Sequence, residues 1–231
     1  MSEFRHEYKY ICDMRQLTEI KYRIAPFMKL DSHTGENTGY VIRSLYFDDY
    51  DNTCYYDNLN GADPREKFRI RIYNGDDSFV RLELKQKVHG MTRKVSCPLS
   101  REDVRMILQG EKLNLRTMDS ALLRKFYIQQ QVRLLKPKVI VEYDRIPFVY
   151  KEGNVRVTFD MNIRSSSNVK DFLNKDIHTR QITETGCHVL EVKFDEFIPD
   201  FIHHAIQIEK LQQTAFSKYS LCRKYNLRGV I

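Results

Sequence analysis

The sequence has no tryptophan, and its five cysteines are scattered, odd in number and never spaced as a CxxC pair. This pattern argues against a disulfide framework and a structural zinc site, and makes a reducing cytoplasmic environment the default. No apolar run approaches the roughly 20 residues of a membrane-spanning helix, and the N-terminus lacks the apolar core of a signal peptide. We therefore expect a cytoplasmic protein without direct membrane insertion, whose function at a membrane would require a membrane or regulatory partner chain.

Aromatic residues and positive charge, by contrast, are abundant. Fourteen Tyr and 13 Phe offset the missing Trp, and a hydrophobic content of 42% in 231 residues is enough for a substantial core. Because no internal repeat, low-complexity tract or linker is found, we predict a single domain over residues 1–231. The net charge of +7 favours an anionic partner such as a nucleotide, polyphosphate, nucleic acid or an acidic membrane surface.

The most informative stretch is residues 65–73, where cationic and apolar side chains alternate at the period of a β-strand. Lys67, Arg69 and Arg71 share one face of this strand. Similar patterns predict strands over 4–12, 40–48, 79–87, 91–97, 138–148, 155–164 and 187–195. Helical spacing and capping residues predict helices over 14–25, 101–109, 119–135 and 199–211. A final segment runs from 216 to 225, and 48–64 is expected to be irregular.

The polar faces of these strands and the final segment carry thirteen selected cations but only four carboxylates. An ordinary half-buried sheet could turn such faces to water, and lysine-rich edge strands are common. However, like charges on neighbouring strands repel each other, so an anionic ligand should offset the cost. We therefore predict an α+β fold in which helices surround an antiparallel β-barrel tunnel with a polar, basic lumen.

Eight short segments, taken in order, resemble a known family. They are RHEYKY at 5–10, YFD at 46–48, KFRIRIY at 67–73, LELKQK at 82–87, YDR at 143–145, RVTFD at 156–160, LEVK at 190–193 and FSKY at 216–219. Together they resemble the VTC-type polyphosphate polymerase domain of the triphosphate tunnel metalloenzyme (CYTH-like) superfamily. The resemblance implies that the protein binds ATP or another nucleoside triphosphate, requires Mn²⁺ or Mg²⁺, and transfers the terminal phosphoryl group to a growing polyphosphate.

The resemblance also implies roles for individual residues. The catalytic residues would be Arg69, Arg71, Lys85, Lys193 and Glu191. The phosphate- and nucleotide-binding residues would be Lys9, Lys67, Lys87, Arg93, Lys94, Tyr143, Arg145, Arg156, Ser217 and Lys218. Glu191 is the preferred metal ligand, and Glu7 and Glu83 are weaker candidates whose alternative role is charge balance. Ala215 departs from the pattern, since many family members carry a further cation there.

No protein nucleophile is required, because the acceptor is itself a phosphate, and the seven histidines show no metal-ligand spacing. Two alternatives share the tunnel: an inorganic or nucleoside triphosphatase that transfers the phosphoryl group to water, and a noncatalytic polyphosphate-binding module. Nucleic-acid binding is disfavoured because the cations lie on alternating strand faces, and neither a recognition helix nor an exposed aromatic platform is evident.

Overall fold

The computed structural model describes residues 4–34, 38–111, 113, 120–208 and 211–228, and these residues form one sheet flanked by helices. The described strands are β1 (His6–Cys12), β2 (Lys29–Leu30), β3 (Tyr40–Asp48), β4 (Arg65–Tyr73), β5 (Asp76–Val88), β6 (Met91–Leu99), β7 (Lys136–Tyr150), β8 (Val155–Ser166), β9 (Arg180–Gln181) and β10 (His188–Phe194). The described α-helices are α1 (Met14–Ile24), α2 (Thr53–Leu59), α3 (Arg101–Gln109), α4 (Ala121–Val132), α5 (Asp200–Ile206) and α6 (Lys218–Arg228).

The sheet is antiparallel and curled. Its main strands follow the order β1-β10-β8-β7-β3-β4-β5-β6, while β2 pairs with β7 and β9 pairs with β8. The two edge strands meet where Arg5 and Thr92 exchange two backbone hydrogen bonds of 2.8 Å. Further along the same edge of β1, the backbone N–H of Thr214 donates to Lys9 O at 2.8 Å. The predicted α+β class, an antiparallel β-barrel surrounded by helices, is confirmed in the form of a curled, half-barrel sheet.

The outer faces of the strands are largely apolar and lie beneath the helices. On β4, Phe68, Ile70 and Ile72 are buried in one cluster with Val104 of α3 and Phe126 of α4. A second cluster packs α1 and α5 against β8 and β10. Because burying one such side chain contributes about 1.5–3 kcal/mol, this packing fixes which face of each strand turns outward. The alternation predicted for residues 65–73 therefore has its apolar side under the helices.

Most predicted elements are close to those observed. The strands at 40–48 and 65–73 and the helix at 101–109 are confirmed residue for residue, and Ser100 caps α3 in a reciprocal capping box with Asp103. The helix predicted over 199–211 ends earlier, at Ile206. The helix predicted to start at 119 begins at Ala121 within the described residues, and residue 119 lies outside them.

The prediction that 48–64 is irregular is wrong, because this segment contains α2. Its sequence is poor in strong helix formers, but two carboxylates hold its N-terminus: Asp48 accepts the backbone N–H groups of Cys54 and Tyr55, and Asp49 accepts that of Thr53. The side chains of Cys54 and Tyr55 are buried. Tertiary contacts rather than propensity therefore make this helix.

One buried polar cluster interrupts the apolar outer face. Arg43 is 4% exposed, and its Nε donates to Glu142 Oε2 at 2.6 Å. Its Nη1 donates to the carbonyls of Phe172 (3.1 Å) and Asn174 (2.5 Å). Arg164 Nε reaches the other oxygen of Glu142 at 2.9 Å. These hydrogen bonds hold the segment that follows β8 against the sheet. The alternation of apolar and polar residues does not predict this cluster.

Among the described residues, no helix combines the length and the apolar composition needed to cross a membrane. The five cysteines are free thiols. Burial raises the pKa of the Cys12, Cys54 and Cys222 thiols to about 12, so these three side chains act as small apolar packing groups.

Candidate functional site

The curled sheet encloses a cavity of about 950 Å³. Sixteen of the seventeen residues with predicted site roles line it, and the exception is Glu83. The sixteen are Glu7, Lys9, Lys67, Arg69, Arg71, Lys85, Lys87, Arg93, Lys94, Tyr143, Arg145, Arg156, Glu191, Lys193, Ser217 and Lys218. They come from β1, β4, β5, β6, β7, β8, β10 and the C-terminal segment, so the fold brings together side chains that are up to 211 positions apart, from Glu7 to Lys218. Their roles remain predictions.

Glu83 lies behind the lining cations. Its carboxylate accepts Arg69 Nε at 2.7 Å and Lys94 Nζ at 3.0 Å, and Arg71 Nη1 lies 3.8 Å away. Burial alone would raise the pKa of Glu83, but the charges of Arg71, Arg69 and Lys94 hold it well below its ordinary value. These contacts fit the alternative role considered for Glu83, charge balance, and leave it out of our metal proposal.

Arg69 and Arg71 are further fixed by neutral side chains. Arg69 Nη1 donates to Tyr46 Oη at 3.0 Å, while Arg71 donates to Ser44 Oγ at 3.2 Å and to Tyr143 Oη at 3.3 Å. Because these partners sit on β3 and β7, the sheet itself holds the two guanidinium groups in place. Such preorganisation reduces the entropy that an anion must lose on binding.

A second group of charges joins β1 and β10. Lys85 Nζ contacts both oxygens of Glu7, at 2.6 and 2.7 Å, and Lys9 Nζ lies 2.9 Å from the same carboxylate. Lys193 Nζ lies 2.6 Å from Glu191 Oε1, and Arg145 Nη2 lies 3.5 Å from it. Burial would raise the pKa of each glutamate, but the surrounding cations hold the pKa of Glu7 and of Glu191 well below the ordinary value.

Glu7 and Glu191 are also the two carboxylates that could take a metal ion. The negative charge of Glu191 lies close enough to oppose ionisation of Glu7, and Glu191 Oε1 is buried with no hydrogen bond of suitable geometry among the described residues. In the described part of the chain, no group of three or more His, Cys, Asp or Glu could hold a metal. Two carboxylates fit Mg²⁺ or Mn²⁺ only if phosphate oxygens supply further ligands.

Asp160 is one of the four carboxylates on the polar strand faces, and the sequence predicts no site role for it. Asp160 is fully buried, and it binds Arg145 through two hydrogen bonds of 2.6 and 2.7 Å. Lys218 Nζ lies 2.6 Å from its second oxygen. Burial would raise the pKa of Asp160, but Arg145 and Lys218 hold it below the ordinary value. One carboxylate therefore orients two lining cations from β7 and α6.

Lys67 differs from these paired cations. Its Nζ donates to Asn58 Oδ1 at 2.8 Å and to Ser217 Oγ at 3.4 Å, and it lies over the Tyr219 ring. Over the described residues, no carboxylate makes an ion pair with Lys67, with Lys87 or with Arg65, the cross-strand partner of Lys87. Burial lowers the pKa of Lys67 to about 7. This end of the cavity therefore carries cations without ion-pair partners.

The C-terminal segment completes the wall. Lys9 Nζ donates to the carbonyl of Phe216 at 3.0 Å, and Ala215 and Ser217 line the cavity beside it. Two predicted binding residues are partly engaged elsewhere: Arg156 pairs with Asp31, and Arg93 donates to Gln86 Oε1 at 2.7 Å. The Nε of Arg156 is buried without a partner among the described residues.

A family of known proteins and the fold of two solved structures match this chain. The family model described as VTC domain matches residues 4–226. Among solved structures, a candidate adenylate cyclase of Bacillus halodurans matches with a TM-score of 0.50 at 16% identity, covering 89% of this chain and 87% of that one. A candidate adenylyl cyclase of Hippeastrum, described with a dominant triphosphatase activity, matches with a TM-score of 0.51 at 13% identity, covering 97% and 96%. A comparison with curated protein sequences found no match.

Proposed function

The chain belongs to the VTC domain family, and from this premise we propose that it is a polyphosphate polymerase that transfers the terminal phosphoryl group of ATP to a growing polyphosphate. The observation that carries the proposal is the convergence of cations from seven strands and α6 on one cavity that also contains two buried glutamates. A triphosphate is a compact chain of negative charge and matches such a lining. Polyphosphate, a longer chain of the same units, fits an elongated tunnel.

Phosphate binding would use the preorganised cations. Arg69, Arg71 and Arg145 each present a guanidinium group whose orientation is already set by neighbouring side chains. A charge-assisted hydrogen bond of this kind contributes about 1.5–3 kcal/mol. Lys9 and Lys85 both pair with Glu7, and their ammonium groups would be available to phosphate oxygens if Glu7 held a metal ion.

The metal would be held by Glu191 and Glu7 together with phosphate oxygens. Mn²⁺ or Mg²⁺, when bound there, neutralises the charge that builds up on the transferring phosphoryl group and its leaving oxygen. The surrounding lysines keep both carboxylates ionised, which is the form that a hard cation requires.

The chemical step needs positioning rather than a protein nucleophile. A terminal oxygen of the acceptor polyphosphate attacks the γ-phosphorus, a new P–O bond forms, and the bond to the bridging oxygen breaks so that ADP leaves with the electron pair. The attacking oxygen is already anionic, so no base is needed. Arg69, Arg71 and Arg145 would align the two phosphate chains and balance their charge.

A triphosphatase of the same fold is the second candidate, and it is favoured by the likeness to the Hippeastrum protein. In that reaction water replaces polyphosphate as the acceptor. Here both lining glutamates are occupied by lysines, and Asp160 is held by Arg145 and Lys218. None of these three carboxylates is placed as an unpaired base for water, which supports the phosphate acceptor.

The test is to incubate the purified protein with ATP and Mn²⁺ and to separate the products by chain length. Long polyphosphate supports the polymerase, orthophosphate as the sole product supports the triphosphatase, and nucleotide binding without turnover would contradict both. Glu191→Ala should abolish turnover while leaving nucleotide binding largely intact, because the cations remain. Normal turnover of this variant would remove the metal assignment.

A pair of variants tests the binding cations. Arg69→Ala combined with Arg71→Ala should weaken nucleotide binding by at least about 100-fold, since two charge-assisted contacts are lost. Arg101→Ala is the matched control, because Arg101 pairs with Asp77 outside the cavity lining. Equal affinity of the double variant and the control, measured by titration calorimetry, would refute the assignment.

A further inference from the structure

One rim of the cavity is aromatic. Tyr40 at the start of β3, Tyr73 at the end of β4 and Phe79 near the start of β5 all line it. The Tyr40 and Tyr73 rings pack edge to face with centroids 5.7 Å apart. Phe79 is 57% exposed, which is unusual for a large apolar side chain that lines a polar cavity. We call these three side chains the aromatic rim.

The aromatic rim adjoins the phosphate-binding cations. Tyr73 and Arg71 are two residues apart on the same face of β4, a separation of about 7 Å along the strand. Tyr40 is the cross-strand partner of Arg145. A nucleoside triphosphate whose phosphates lie against Arg71 and Arg145 would therefore bring its base to the rim.

The other end of the cavity cannot serve the same purpose. Its aromatic side chains Tyr46 and Tyr219 are buried and pack against each other with centroids 5.2 Å apart, while Arg69 lies over the Tyr46 ring and Lys67 over the Tyr219 ring. Phe216, which also lines the cavity, has Lys218 Nζ 6.0 Å from its ring centroid. The remaining groups there include Arg65, Lys67 and Lys87, three cations without an ion-pair partner among the described residues. The cavity is thus asymmetric, with aromatic rings at one end and unneutralised positive charge at the other.

We infer that the aromatic rim is a nucleobase-binding site, and that the triphosphate runs inward from Arg71 toward Lys67. The inference rests on the proposed function and adds the position of the base and the direction of the phosphate chain. Recognition would occur by stacking on Phe79 and contact with the Tyr73 and Tyr40 rings. Because stacking depends on ring area rather than on functional groups, purine nucleoside triphosphates should bind more tightly than pyrimidine ones.

The experiment compares ATP with inorganic tripolyphosphate, which has the phosphates but no base. Both affinities are measured by titration calorimetry with Mn²⁺ for the unmodified protein, Phe79→Ala, Phe79→Trp and the control Phe197→Ala. Phe197 is 56% exposed and does not line the cavity, so it matches Phe79 in exposure. Phe79→Ala should weaken ATP binding about ten-fold and leave tripolyphosphate binding unchanged, as expected for the loss of one stacking partner. Phe79→Trp should retain ATP binding.

The outcomes separate this inference from the function on which it rests. If the unmodified protein binds both ligands but Phe79→Ala affects them equally, or affects neither, the nucleobase site is wrong and the phosphate site stands. If Phe197→Ala weakens ATP binding as much as Phe79→Ala, the effect is not specific to the rim and the inference is overturned. If the unmodified protein binds neither ligand, the proposed function fails, and the inference fails with it.

Discussion

The Asp160→Asn variant should unfold more easily than any variant that changes a surface charge. The carboxylate is fully buried and binds Arg145 at 2.6 and 2.7 Å and Lys218 at 2.6 Å, and these cations are themselves only 9% and 8% exposed at the side chain. An amide keeps the shape but removes the negative charge, so two cations remain buried without their counter-ion. Breaking a buried ion pair in this way costs about 3–5 kcal/mol.

Urea unfolding at pH 7 measures this cost, and Asp195→Asn is the control. Asp195 pairs with Arg5 at 2.6 Å but is 35% exposed at the side chain, so its loss should cost no more than about 1 kcal/mol. For a chain of this length, the loss in Asp160→Asn corresponds to a drop in Tm of roughly 6–20 °C. A loss no larger than that of the control would refute the reasoning, since Arg145 and Lys218 would then not depend on Asp160.

The pH dependence of this contribution follows from the lowered pKa of Asp160. A folded-state pKa below the unfolded value, about 3.9, means that the stabilisation is present above about pH 4. It is lost as the pH falls through the folded-state pKa. The difference in stability between the unmodified protein and Asp160→Asn should therefore shrink in acid, and a difference that grows below pH 4 would contradict the assignment.

Three further results are expected. Because burial lowers the pKa of Lys67 and of Lys85 to about 7, triphosphate binding at pH 8 should take up protons at both side chains, seen by calorimetry in buffers of different ionisation enthalpy, and Lys67→Met should reduce this uptake. The pKa of Glu83 lies well below its ordinary value, so the unmodified protein should lose stability below pH 4.5 as the pH falls toward that pKa. In acid titrations, Glu83→Gln should lose less stability over the same pH range. Gly39→Ala should lower stability by about 1–3 kcal/mol in urea and weaken triphosphate binding, because an added Cβ would overlap the carbonyl oxygen of Arg145.

Several parts of the fold could be predicted from the sequence because they depend on short-range periodicity. The alternation at 65–73 sufficed to place Phe68, Ile70 and Ile72 on one face, and the packing under α3 and α4 confirms it. The capping box of Ser100 and Asp103 likewise lies within three residues. Features of this kind are local, so the chain carries them without reference to distant segments.

Other features were missed because they depend on contacts between distant segments. α2 lacks strong helix formers, and Asp48, which accepts two of its first backbone N–H groups, is itself bound by the hydroxyl of Tyr219, 171 positions away. Arg43 and Glu142 break the apolar outer face as a buried pair joining β3 to β7. No spacing within either segment indicates such a pair.

Alternation along each strand puts Lys67, Arg69 and Arg71 on one face, so the residue types that line the cavity follow from the sequence. The neutralisation of their charges depends instead on the tertiary structure. Strand register sets Glu83 behind Arg69, whereas it leaves Lys67 with Asn58 and Ser217 and no ion pair among the described residues. The physical reason is that the two properties depend on contacts of different range. The direction of a side chain is set by the adjacent residues of its strand, whereas a buried charge is neutralised by whichever group the fold brings within a few ångströms of it.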